Sequence, residues 1–278
     1  LPGPPIDATA PPPFFATLPY GVIFGGSYDP YAPSLIFRDL LSTVLCIAGA
    51  SAFVKGVTYP ASMGYIESRD ARKIIHTVSV PLFLFLWPVY SHAYGARVFA
   101  SIVPLLQAVR LFLAGSSGTE SDGGLETELA GAISRSGDAK EALGGPFIYV
   151  LVMLISTLFF WTDSPIGVVS MATMALGDGL ADLIGRRFGS GNKWSFNRSK
   201  SMAGSAAFVA GSFVGSLGLI TWLTNMGAMD PLALGTMGLV GRLFAIAVIC
   251  AGVELIPLGD DNWTVPLSAA LLSAILLN

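Results

Sequence analysis

Charge is what this sequence has least of. Asp, Glu, Lys and Arg make up 12% of its 278 residues, where a soluble globular domain carries about a quarter. That deficit excludes an ordinary water-solvated surface and points to lipid as the solvent. Cysteine is nearly absent too. Cys46 and Cys250 both lie inside apolar runs and read as small packing residues rather than disulfide or redox partners. The sequence has no Gly, four residues, Gly-Lys-Ser/Thr run, which excludes a Walker A phosphate loop. No excess of positive charge is present either. The formal net charge is −3, which argues against nucleic acid as a partner.

What is abundant is apolar. Such residues form 53% of the chain and the mean hydropathy is +0.67. Residues 1–38 are rich in Pro, Gly and Ala without helical period, and read as an arm left after removal of a targeting peptide or as a loose surface segment. The remainder, 39–278, reads as one all-α, polytopic membrane domain of about eight transmembrane helices, with seven to nine allowed. The apolar runs lie near 40–54, 74–90, 98–114, 147–161, 166–187, 203–223, 243–257 and 265–277. Pro81 and Pro88 are expected to kink the second. Between the third and fourth lies a polar loop, 115–145, with six carboxylates and room for a short helix near Leu125–Ile133. A basic loop, 186–202, precedes the sixth run. The fold of 225–241 has no clear pattern.

Alternating eight spans puts Lys55, Arg69, Arg72, Lys73, Arg110, Arg135, Lys140, Arg186, Arg187, Lys193, Arg198 and Lys200 on one side. Only Arg38, Arg97 and Arg242 fall on the other. This positive-inside bias supports the span count and assigns the basic face to the cytosol, stroma or matrix.

Three polar groups gather on that face. In Gly177–Gly189, Asp178 and Asp182 are four apart, so on a helix they share a face and can hold one Mg²⁺. Gly185 and Gly189 repeat the spacing and leave a smooth strip for a backbone or a nucleotide. Arg186, Lys193 and Lys200 supply cations for phosphate, and Ser201 with the amides near Gly204 opens the sixth helix, where anions are favoured. The plain structural account is that cations anchor helices at the interface and small residues pack them; it does not explain why carboxylates, lysines and glycines cluster together. The second group is Arg72, Lys73 and His76, one turn into the second helix, with Glu67 nearby. His76 is a phosphate contact, a proton acceptor or a satisfied structural residue; His92 has no such company. The third is Glu254, Asp261 and Asn262. N-capping can account for Asp261 and Asn262, but an acid inside the seventh helix is costly without a partner.

On these residues the chain resembles the polyprenol (dolichol) kinase family, in particular its phytol and farnesol kinase branch. Arg72, Lys73 and His76 match its Arg-Lys-x-x-His element. Asp178, Ala181, Gly185 and Gly189 match Asp-x-x-Ala-x-x-x-Gly-x-x-x-Gly, and Lys200, Ser201 and Gly204 match Lys-Ser/Thr-x-x-Gly. Glu254, Asp261 and Asn262 match its late Glu followed by Asp-Asn. The likeness covers about 69–278. Dolichol kinases carry Lys-Lys-Thr-x-Glu-Gly where this chain has Ser199-Lys200-Ser201-Met202-Ala203-Gly204, and they tend to have extra N-terminal spans; both departures favour the smaller branch.

The resemblance implies a kinase that uses CTP to phosphorylate a membrane-dissolved prenyl alcohol, phytol first, to a monophosphate serving tocopherol synthesis and phytol salvage. It implies a chloroplast membrane, with the endoplasmic reticulum as the alternative. Asp178 and Asp182 would hold Mg²⁺, Lys193 and Lys200 would neutralise phosphate charge, and Glu254, Asp261 or His76 would accept the alcohol's proton. Farnesol, geranylgeraniol or dolichol are alternative acceptors. A cytidylyltransferase making CDP-lipids is a rival enzyme. A transporter is the rival of another class, disfavoured because the ionisable residues sit at one interface and not at the midplane.

Overall fold

A computed structural model describes residues 33–116, 143–256 and 260–277. The expected arm up to residue 32, most of the acidic loop with its short helix at 125–133, and 257–259 lie outside the described residues. The described chain is all helical: α1 Pro33–Ser62, α2 Ser68–Phe85, α3 Ala96–Ser116, α4 Gly145–Phe159, α5 Pro165–Ala172, α6 Asp178–Phe188, α7 Met202–Asn225, α8 Gly235–Leu255 and α9 Asp261–Leu276. A π-helical turn, Thr173–Gly177, joins α5 to α6 into one rod, so eight rods stand among the described residues.

Five are long and apolar enough to cross a membrane: Pro33–Ser62, Ala96–Ser116, Pro165–Phe188, Met202–Asn225 and Gly235–Leu255. α4 is apolar but shorter, at 15 residues. α2 carries Arg69, Asp70, Arg72 and Lys73 in its first turns, and α9 has 16 residues. Val214, Leu271 and Ile275 turn outward, as a lipid-solvated surface requires.

Several boundaries depart from expectation. α1 begins at Pro33, so 33–38 are helix and not arm. α2 stops at Phe85 because Pro88 lies in a 3-10 turn, Trp87–Val89, where its missing N–H cannot continue the ladder; only Pro81 is internal. Arg186 and Arg187 belong to α6, so the basic loop starts at Gly189. The unread segment after Asn225 turns at Gly227 (φ 71°) and Gly235 (φ 65°), left-handed conformations that suit glycine, and α8 starts there.

Caps explain the helix starts. Ser164, Ser201 and Asp260 each accept a backbone N–H of the first turn of α5, α7 and α9. Inside the rods, hydroxyls fold back onto carbonyls one turn earlier, as Ser101 does on Arg97 and Thr157 on Met153. Such bonds satisfy polar groups without water.

The three arginines excluded from the basic face are paired at the opposite end. Arg38 donates to the Val89 carbonyl at 2.9 Å, Arg97 is buried against Asp163, and Arg242 donates to the Leu276 carbonyl at 2.7 Å.

Candidate active site

The rods enclose a cavity of about 1620 Å³, larger than the roughly 300–1,000 Å³ of ordinary ligand pockets and roomy enough for two substrates. Arg72, Lys73, His76, Asp178, Asp182, Gly185, Arg186, Lys193, Lys200, Ser201, Gly204, Glu254, Asp261 and Asn262 all line it. Of the residues singled out in the sequence, Gly189 does not, nor does Glu67 beside the second group. Away from this polar end the lining turns apolar, between α1, α2, α3 and α4.

Asp178 opens α6 directly after the π turn, a distortion often found at functional sites. Its Oδ2 takes the Lys73 ammonium at 2.6 Å and lies 3.3 Å from His76 Nε2. No partner within hydrogen-bond distance of Oδ1 stands among the described residues. His76 Nε2 is also 3.3 Å from the Met174 carbonyl. Both neighbours accept, so the tautomer with hydrogen on Nε2 suits this position and leaves Nδ1 as the ring's acceptor. Tyr149 holds the other side of this residue: its ring lies 4.3 Å from the imidazole and its hydroxyl donates to the His76 carbonyl at 2.6 Å.

One turn on, Asp182 accepts from Arg186 at 3.0 Å and faces Arg69 at 3.8 Å. Arg186 and Arg187 both reach Asp70 on α2, at 2.8 and 3.2 Å. Asp70 and Arg69 join the site although the sequence pattern does not mark them apart from the charged segment they share with Arg72 and Lys73. The two carboxylates thus share a face, and each is met by cations of α2.

The third group closes around Lys200. Its ammonium lies 2.6 Å from Glu254 and 2.8 Å from Asp261, which supplies the partner that buried Glu254 needs. Burial alone would lower the Lys200 pKa; the charge of Glu254 and the hydrogen bonds the ammonium donates to both acids outweigh it and hold it above the ordinary lysine value. The loop carrying it is pinned by Met202 N to Asn192 O at 2.8 Å, Trp194 N to Lys200 O at 3.2 Å and Asn197 Nδ2 to Leu255 O at 2.9 Å. Asn262 is held by the Asp260 carboxylate at 2.7 Å.

The glycine strip serves helix packing. A side chain at Gly204 would meet the Ala181 carbonyl at 3.0 Å, and one at Gly189 would meet Ser201 Cβ at 2.6 Å. Gly185 faces Ser201 and Gly204. What approaches this strip closely is the backbone opening α7, and the Ser201 hydroxyl caps Gly204 N at 3.1 Å. Lys55 and Arg110 also line the polar end; the count of basic residues had put them on this face but had not joined them to the site.

No group of three or more His, Cys, Asp or Glu side chains able to cage a metal stands among the described residues. Mg²⁺ bound with a triphosphate needs only one or two carboxylates. Asp178 and Asp182, two carboxylates on one face of α6 at the cavity wall, fit that smaller requirement.

Comparison with known proteins adds relatives. The chain is 38% identical over 252 residues to a probable chloroplastic phytol kinase of Zea mays, covering 89% of this chain and 80% of that protein. It is 36% identical over 241 residues to the chloroplastic phytol kinase 1 of Arabidopsis thaliana, covering 86% and 77%. To the chloroplastic farnesol kinase of the same plant it is 32% identical over 216 residues, covering 77% and 67%. No family model matches the chain. No solved structure does either.

Proposed function

The chain belongs to the phytol and farnesol kinase family, and from that premise we propose that it transfers the terminal phosphoryl group of a nucleoside triphosphate, CTP, to the hydroxyl of a prenyl alcohol, phytol. The observation that carries this reading is one cavity with a cation-rich end and an apolar continuation, a shape suited to a charged donor and a membrane-dissolved acceptor. The relatives' designation as chloroplastic supports a chloroplast membrane, with the eight rods as eight passes.

Phosphoryl transfer asks for positioning and charge neutralisation more than covalent chemistry. Lys73, Arg186 and Lys200 are each held by carboxylates at the cavity wall, ready to trade those contacts for phosphate oxygens. Lys193 and Arg72 extend the same clamp, and Asn262 lies beside it. Asp178 and Asp182 would hold Mg²⁺, which supplies charge neutralisation at the phosphates. His76 orients Asp178 through Nε2–H. The alcohol's proton passes to Glu254 or Asp261, the two acids that share Lys200.

The test is turnover of purified protein with labelled CTP and ATP and a panel of prenyl alcohols, scored for the lipid monophosphate. Label transferred from CTP to phytol supports the reading. Label appearing as a CDP-lipid, or in no lipid at all, would remove it.

A further inference from the structure

α1 is fastened by its first half alone. Its buried residues are Asp39, Ser42, Thr43 and Cys46. Asp39 accepts from Ser91 N and Oγ at 2.6 and 2.7 Å, and Thr43 donates to the Phe99 carbonyl at 3.0 Å. From Ile47 to Ser62 no residue is buried. The second half therefore stands off its neighbours as a wedge with its apex at Cys46, and the space inside the wedge is the apolar part of the cavity.

The facing walls are Phe83 on α2 and Leu86 at its C-cap, Val103 and Leu106 on α3, and Met153 on α4. The serines in this lining make no polar demand: Ser51 donates to the Ile47 carbonyl at 2.8 Å and Ser79 to the Ile75 carbonyl at 2.6 Å. Gln107, one turn from Arg110, marks the border with the polar end. His76 and Asp178 stand at that border too, and from His76 to Leu86 the groove follows α2 for about 15 Å. Behind Phe83 the way is closed by Trp87, which packs on Phe83 at 6.0 Å and on Trp161 at 4.4 Å.

We propose that this groove is the binding site of the acceptor's isoprenoid chain, entered sideways from the bilayer, and that the wedge between Gly49 on α1 and the α2–α4 walls sets the length of chain admitted. The proposal rests on the kinase reading and deepens it. A linear, branched hydrocarbon ending in one hydroxyl fits a slot that is apolar along its length and charged only at its open end. Continuity with the Asp178 group places that hydroxyl where the phosphates gather.

Gly49 offers a clean probe. It lines the groove, and a Cβ there meets nothing within 4 Å, so a large side chain enters the slot without disturbing the packed core. Purified wild type, Gly49→Phe, Ala50→Phe and a Val214→Phe control, an outward-facing position on α7 away from the groove, are assayed with geraniol, farnesol and phytol. Each aromatic variant is expected to lower kcat/KM for phytol about tenfold or more, to leave geraniol within a few fold of wild type, and to leave the nucleotide KM unchanged; the control keeps the wild-type profile. Retained geraniol turnover reports an intact fold and phosphoryl site. An active wild type whose alcohol ratios stay unchanged in both aromatic variants would overturn the groove alone. Wild-type inactivity on every alcohol would overturn the kinase reading and this occupant with it.

Discussion

Among the described residues Asp178 engages Lys73 and His76 through one oxygen; on the proposed metal reading the other would face the ion, which makes Asp178 the residue where substitution is most informative. Asp178→Asn keeps the shape and one acceptor but removes the charge. Loss of a charged metal ligand costs several kcal/mol at the transition state, so turnover should fall about a thousandfold or more, with thermal stability in detergent nearly unchanged. Near-normal turnover at ordinary Mg²⁺ would take Asp178 out of the metal site. Lys200 separates charge from geometry. Lys200→Ala should raise the nucleotide KM and cut turnover, and would leave Glu254 buried beside Asp261 without a cation. Lys200→Arg should recover only part of the loss, because a planar fork cannot occupy the position of a compact ammonium between two acids. If both variants stay within a few fold of wild type, Lys200 is an interfacial anchor. The raised pKa adds a pH expectation. Lysine gains its stabilising partners in the charged form, so the contribution of Lys200 is complete below its ordinary value of 10.5 and fades only as pH climbs beyond it. Wild-type stability should therefore show no loss from this group on the alkaline side until that range.

At the level of helices, α6 meets α7 through glycine. Gly204→Leu should break that contact, because the Ala181 carbonyl is backbone and cannot move aside; Gly204→Ala should be milder. The expected readout is a lower Tm and joint loss of kcat and nucleotide binding, since α7 carries Lys200 and Ser201 at its start. A wild-type Tm in Gly204→Leu would contradict the packing role. The same contact shows what residue spacing alone does not encode. The spacing of Gly185 and Gly189 was visible as a smooth strip, but a strip looks the same whether a nucleotide or a neighbouring helix fills it. Apolar runs marked the rods well; charged turns did not. Arg186 reads as loop by hydropathy, yet it stays helical by reaching back four residues to Asp182. Asp70 escaped attention because its partners, Arg186 and Arg187, are far along the chain and only the fold brings them together. The motif residues themselves were legible because their chemistry is costly in a membrane. Lys73, Asp178, Lys200 and Glu254 each need a partner, and they supply it to one another.

At the scale of the molecule, the polar chemistry of the described residues is divided between two ends. The ends of α1, α3, α6 and α8 and the starts of α2, α4, α7 and α9 surround the cation-rich cavity, while Arg38, Arg97 and Arg242 are consumed by partners at the other end. On the proposed kinase reading, such a division would admit the donor nucleotide from one side only. Single cysteines placed in a background lacking Cys46 and Cys250 test this directly. Ser68 before the charged turns of α2, Ser190 in the pinned loop and Ile256 after α8 are all exposed or nearly so, as is Asp230 in the turn between α7 and α8. In sealed vesicles, a membrane-impermeant maleimide should label Ser68→Cys, Ser190→Cys and Ile256→Cys from one common side and Asp230→Cys from the opposite side. Because α2, the α6–α7 loop and the end of α8 all contribute to one cavity, labelling of any of the first three from the other side would separate Lys73, Lys193 or Glu254 from the rest. That outcome would dissolve the shared site, whatever activity the protein retained.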